Sequence, residues 1–108
     1  MYGRYLIEKT NDHILETDKG FATYRYLDEN KTVYIVDLFV LPDFRKEHVA
    51  STIADQIVEL ARHVGCTKLL GSVVPSNKNS TDSVRVLLAY GMSLKSSSND
   101  FLVFEKEI

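Results

Sequence analysis

Polar and apolar positions follow two different rhythms along this chain, and the change falls near Pro42. Before it, apolar and polar residues alternate in short runs, the period of half-buried strands. Those runs predict strands over Gly3 to Lys9, His13 to Thr17, Gly20 to Leu27 and Thr32 to Leu41. Asn11-Asp12, Asp18-Lys19-Gly20 and Asp28-Glu29-Asn30 separate them, and these residue types accept turn geometry, so an antiparallel meander is expected. In Gly20 to Leu27, Tyr24 and Tyr26 share one face and pack as a half-buried aromatic patch. The run VYIVDLFVL is apolar on both faces except at Asp37, which predicts a central strand carrying one carboxylate.

After Pro42 and the charged loop Asp43 to Glu47, the period lengthens. Val49, Ile53, Ile57, Leu60 and Val64 recur at threes and fours, with Ala50, Ala54 and Ala61 beside them. This is an amphipathic helix that Gly65 ends. Lys68 to Val74 reads as a short strand, which a crossover of this length returns parallel to the earlier one. A second helix, capped by Asn79 or Ser80, runs through Tyr90 to Gly91, with Val84, Leu87 and Leu88 as its apolar side. Met92 to Lys95 and Asp100 to Glu107 close the chain as a hairpin about the polar run SSSN.

Composition narrows the picture. The 108 residues suit a single domain, 1–108, with one core, and 44% apolar with 26% charged residues is the balance of a globular protein. No run approaches a bilayer span and the N-terminus lacks a signal-peptide pattern, so a cytoplasmic protein without membrane association is expected. A formal charge of −2 speaks against nucleic acid as a partner. His13, His48 and His63 lie far apart without ligand spacing, so no metal is expected. Cys66, the single cysteine, reads as a small buried hydrophobe.

The chemistry concentrates between Asp37 and Ser51. A strand, a sharp loop and a helix start in succession leave unpaired backbone N–H groups, to which Arg45 and Lys46 add positive charge. A pyrophosphate suits such a place, with the amides from Lys46 to Ala50 as donors and Arg45 as a clamp.

The segment DLFVLPDFRKEHVAS resembles the signature region of the GNAT N-acetyltransferases, in which a strand ending in valine, a proline loop and Arg/Gln-x-x-Gly-x-Gly/Ala lead into a helix. Arg45, Val49 and Ala50 fall in register, and Asp37, Leu38, Phe39 and Val40 are similar to the strand of the spermidine/spermine branch, whose glutamate is replaced by Val36. The resemblance implies an α+β fold: a mixed, mostly antiparallel sheet with a central parallel pair and two helices, lacking the family's usual N-terminal helices. It implies acetyl-CoA as cosubstrate, with its pantetheine arm on the backbone near Phe39 and Val40. Its pyrophosphate would rest on Arg45, Lys46, Glu47, His48, Val49, Ala50 and Ser51, with Asn79 a further contact.

Two positions depart from the family pattern. His48 stands where glycine is usual, either facing solvent or stacking on the ligand, and Leu87 stands where a tyrosine often serves as general acid. Tyr90, one residue before Gly91, is the remaining candidate acid, with packing against the final hairpin as its other role. Asp37 is the candidate base if burial raises its pKa, and otherwise a structural acceptor in the sheet. The expected activity is acetyl transfer to a primary amine, on a small molecule or peptide, by direct attack in a ternary complex. The alternative is a catalytically degenerate domain that binds CoA or a protein. Exposed strand edges on a short chain make a homodimer reasonable.

Overall fold

In the computed structural model, residues 12–45, 48–76, 80–98 and 100–108 are described. The strand expected over Gly3 to Lys9 lies outside them. Among the described residues six strands form one sheet: β1 (His13–Glu16), β2 (Gly20–Leu27), β3 (Thr32–Val40), β4 (Lys68–Val73), β5 (Ser93–Ser98) and β6 (Phe101–Glu107). Their order is β1-β2-β3-β4-β6-β5. Of these strands β3 and β4 pair in parallel, and the other four neighbouring pairs are antiparallel. Helix α1 (Val49–Val64) connects the parallel pair, and α2 (Ser80–Ala89) connects β4 to β5. This is the α+β architecture expected from the sequence.

Local chemistry explains the joints. The Thr17 hydroxyl oxygen accepts from the Lys19 and Gly20 amides, closing the first turn, and Asp28, Glu29 and Asn30 all take left-handed backbone angles to make the second. Both helices stop in the same way. Gly65 has φ 111°, its N–H bonds Arg62 O at 3.1 Å, and Cys66 N–H reaches Ala61 O at 2.9 Å. At the end of α2, Gly91 N–H bonds Leu88 O at 3.0 Å and Met92 N–H bonds Leu87 O at 3.1 Å. Each is a pair of nested bonds around a left-handed glycine, satisfying carbonyls the helix leaves open.

Both helices lie on one side of the sheet. The core there gathers Ala22, Val33, Ile53, Ile57, Ala61, Leu69 and Phe104, all nearly inaccessible to solvent. The buried stripe of α1 is Val49, Ile53, Ala54, Ile57, Val58 and Ala61. Leu60 and Val64, expected in the stripe, are 42% and 45% exposed. At 3.6 residues per turn a face starting from Ile53 and Ile57 passes to Ala61, which carries Leu60 to the flank. The same geometry leaves Leu88 of α2 exposed, while Val84 and Leu87 pack against the core.

The closing hairpin differs from its expected form. Ser96, Ser97 and Ser98 belong to β5, opposite Val103, Leu102 and Phe101, so the reversal falls after them. Pairing with β6 supplies the backbone hydrogen bonds that serine side chains alone do not dictate. The register shifts between Leu94 and Ser96, a bulge that turns this edge strand.

Candidate active site

The cleft begins with one extra residue. Thr23 of β2 faces Asp37 of β3, but Tyr24 faces Ile35, so Val36 is a bulge. A bulge bends its strand and raises the local twist. Pairing of β3 with β4 stops there: it joins Thr32–Ile35 to Lys68–Gly71 and goes no further. Beyond that point β3 stays with β2 up to Val40, while β4 stays with β6 up to Val73. The two central strands therefore part, leaving one main-chain edge of β3 from Val36 onward without a strand partner.

The bulge also explains the unbroken apolar run. Inserting one residue switches the inward parity, so Val33 and Ile35 face the helices before it and Leu38 and Val40 after it. Val36 and Phe39 are left 36% and 39% exposed, against the expectation of a strand buried on both faces.

Between the parted strands lies a cleft of about 760 Å³. Its walls are β3 from Ile35 to Val40, β4 from Leu69 to Val73, the first turns of α1 and the inner side of α2. Ala50 and Ser51 reach it from α1. The first backbone amide of α1 with an intrahelical acceptor is that of Thr52, bonded to His48 O at 3.2 Å. The amides of Val49, Ala50 and Ser51 precede it, in the position where helix N–H groups lack carbonyl partners and attract anions.

Arg45 stands at the same mouth, after the short 3₁₀ turn Pro42–Phe44. Its Nε donates to Val40 O at 3.0 Å, and its guanidinium lies 5.7 Å from the Phe39 ring centre. One side chain thus fastens the end of β3 and sets positive charge beside the helix start. His48 caps α1 with φ 58° and ψ 26°, is exposed, and makes no side-chain cap bond. The turn demands a left-handed residue, which glycine supplies without strain and histidine tolerates better than most. Lys46, Glu47 and Asn79 lie outside the described residues.

Asp37 is exposed, against the burial expected of it. Its position is nevertheless distinctive: it borders the cleft and also a second hollow on the helix-free face of the sheet. Tyr90 borders the cleft from the end of α2, but its phenol donates to Asp55 Oδ1 at 2.5 Å. Burial first, and the bond to Asp55 second, raise its pKa well above the usual phenol range. Leu87 packs over Gly71, where an added Cβ would meet Leu87 Cδ2 at 3.3 Å. Asp37, Phe39, Val40, Arg45, Ala50, Ser51 and Tyr90 are thus brought to one cleft.

Three contributors to the cleft lie outside the residues that the sequence singles out. The bulge at Val36 carries no residue signature. Gly71 carries one, since a lone glycine inside a strand marks close approach by a neighbour. Asp55, on the polar side of α1, becomes relevant only through its contact with Tyr90.

A parallel pair that parts above a helix N-terminus turns a free strand edge and the unpaired amides of a helix start toward one cleft. A sequence profile of the acetyltransferase (GNAT) family matches residues 4–85, and the chain belongs to that family. It is 28% identical over 65 residues to thialysine N-epsilon-acetyltransferase of Bos taurus, across 60% of this chain and 38% of that protein. The chain therefore spans less than half the length of that curated relative. Among solved structures, the PaiA N-acetyltransferase of Thermoplasma acidophilum in complex with coenzyme A superposes with TM-score 0.78 at 12% identity, over 99% of this chain and 68% of that one. A GNAT acetyltransferase from Elizabethkingia anophelis with acetyl-CoA bound gives 0.74 at 14% identity, over 97% and 83%. At these identities the superpositions speak for the fold.

Proposed function

We propose that this domain transfers an acetyl group from acetyl-CoA to a primary amine. The observation that carries the reading is the parting of β3 from β4 directly above the start of α1. The free edge of β3 suits the amides of a pantetheine arm, which would pair there as an added strand does. The diphosphate would rest on the amides of Val49 to Ser51, with Arg45 beside it.

In the reaction the amine nitrogen attacks the thioester carbonyl carbon. The N–C bond forms, the C–S bond breaks, and the thiolate takes a proton from solvent. Asp37 accepts the proton that the incoming ammonium must lose, since it borders both the cleft and the helix-free face. A main-chain N–H on the free edge near Phe39 or Val40 supports the negative charge developing on the carbonyl oxygen.

Calorimetric titration with acetyl-CoA, followed by thiol release across a panel of amines, tests this reading. Saturable binding with one thiol released per amine acetylated is expected. No heat and no thermal stabilisation at millimolar acetyl-CoA would sink it. A second reading, a CoA-binding domain without catalysis, is favoured by the phenol of Tyr90 being bonded to Asp55 and by the apolar Leu87. Binding without thiol release would establish that one.

A further inference from the structure

Two hydroxyls meet where the central strands part. The last row joining β3 to β4 is Ile35 with Gly71. Tyr34 precedes that row on β3 and Ser72 follows it on β4, and their hydroxyl oxygens lie 2.6 Å apart. Both side chains belong to the helix-free face, since Val33 and Ile35 on one strand and Gly71 and Val73 on the other face the helices. Both are half-buried. Ser72 also borders the cleft, on a strand held in place by its pairing with Val103 of β6. Asp37 borders the same cleft from β3. The bulge at Val36 aside, Asp37 and Ser72 are the first residues beyond the last paired row. A carboxylate and a hydroxyl therefore stand on opposite lips of the gap.

We propose that the Ser72 hydroxyl donates a hydrogen bond to the thioester sulfur as the C–S bond breaks, and that Tyr34 positions that hydroxyl. The inference rests on the acetyl-transfer reading and deepens it. With the carbonyl oxygen on a main-chain N–H of β3, the β4 lip is the wall left for the sulfur. Leu87 is apolar and the Tyr90 phenol is committed to Asp55, so neither meets the sulfur with a free O–H. Either partner can donate in the Tyr34–Ser72 bond. The phenol is the more acidic, so it donates, the Ser72 oxygen accepts, and the Ser72 hydrogen is left for the ligand. A serine hydroxyl otherwise turns among staggered positions, and the bond to Tyr34 holds one of them. As the amine nitrogen bonds the carbonyl carbon, its proton passes to Asp37 and the electron pair of the C–S bond goes to sulfur. Ser72 steadies that charge and keeps its own proton; the released thiolate is protonated by solvent.

Ser72→Ala should lower kcat about tenfold, less than the hundredfold or more of an oxyanion-hole donor because sulfur is a weaker acceptor. The Kd for acetyl-CoA should change less than about twofold. Ser72→Thr keeps the hydroxyl and should recover most of the rate. Tyr34→Phe keeps the donor but frees it to turn, so it should cost about threefold, and the double variant should be no slower than Ser72→Ala alone. Losses that multiply in the double variant would overturn the positioning role. Product CoA gives a readout that needs no turnover, because a hydrogen bond to the charged form favours thiolate. With the full chain, the NMR shift of the CoA methylene beside sulfur should show the bound thiol losing its proton about one pH unit higher in Ser72→Ala than in the unaltered protein. The same titration in both proteins, with the kcat of Ser72→Ala unchanged, overturns the role of Ser72 and leaves acetyl transfer standing. The expected difference in a protein that binds CoA but releases no thiol keeps Ser72 at the sulfur and removes acetyl transfer instead.

Discussion

The hydroxyl of Tyr90 donates to Asp55 Oδ1 at 2.5 Å, joining the residue after α2 to the middle of α1. From the other side Lys106 of β6 donates its Nζ to Tyr90 O at 3.0 Å and stands 4.7 Å from the ring centre. Tyr90 thereby ties two helices and a strand at one wall of the cleft. Its proton is committed to Asp55, so the arrangement favours a structural tie over a proton donor to a leaving thiolate.

Tyr90→Phe should lower unfolding free energy by about 1 kcal/mol, the net worth of an accessible hydrogen bond to a charged group. Urea denaturation measures this, and thiol release measures turnover. With the phenol committed to Asp55, kcat should stay within about twofold on the scale where a lost general acid costs about a hundredfold or more. A hundredfold loss of kcat at unchanged stability would make Tyr90 the acid after all.

Alkaline pH should loosen the fold. Burial raises the pKa of Tyr26 from 10.0 to about 12, and Tyr90 is raised as well. Above pH 10 the folded chain keeps phenolic protons that the unfolded chain has released, so raising the pH favours unfolding. Stability from this source is whole below pH 10 and declines from there through about 12 for Tyr26. Denaturant midpoints measured across that interval should fall less steeply in Tyr90→Phe.

Asp37→Asn should reduce kcat on the order of a hundredfold, the lower end for loss of a positioned base, because the side chain is exposed and water can serve in part. The Kd for CoA should change less than about twofold on a scale where tenfold is about 1.4 kcal/mol. Unchanged turnover would remove Asp37 from the mechanism and leave it a side chain of the sheet surface.

His48→Gly should tighten CoA binding. The left-handed backbone costs an L-residue about 1–2 kcal/mol, and glycine removes both that strain and a side chain beside the proposed diphosphate position. Glycine's extra freedom in the unfolded chain takes back about 0.5–1 kcal/mol, so net stability should rise by about 0–1.5 kcal/mol. A calorimetric Kd that weakens would show that the imidazole itself contacts the ligand.

Two alanine substitutions should behave differently. At Gly20 an added Cβ would collide with the main-chain Phe39 O and sit 3.0 Å from Val40 Cα, so β2 and β3 must separate, at a cost of about 3 kcal/mol or more. At Gly71 the nearest atoms belong to the side chains of Leu87 and Met92, which can move, so the cost should stay near 1 kcal/mol. Thermal unfolding of the two variants compares them directly.

Much of this domain was legible in its residues, because the signals concerned are local. Period two before Pro42 and period 3.6 after it separate meander from helix, and glycines at 65 and 91 end helices through the backbone angles they permit. The antiparallel meander, the parallel return through the crossover and the helix start after Pro42 follow from such signals, whereas the α+β class was what the family resemblance implied. Arg45 was legible as a charge near that helix start. Its bond to Val40 O was not, since it depends on where a loop folds back.

What only the tertiary structure decided is where the two central strands part. In the sequence, VYIVDLFVL reads as one continuous buried strand; in the fold, the extra residue at Val36 flips its inward parity and ends its pairing with β4. Register is a property of two strands together, so no single run of residues encodes it. The same bulge brings Asp37 to the border of both hollows without burying it. Sequence alone thus determined the elements and the run of strand, loop and helix start between Asp37 and Ser51, and the pairing of strands distant in the chain determined the cleft that this run borders.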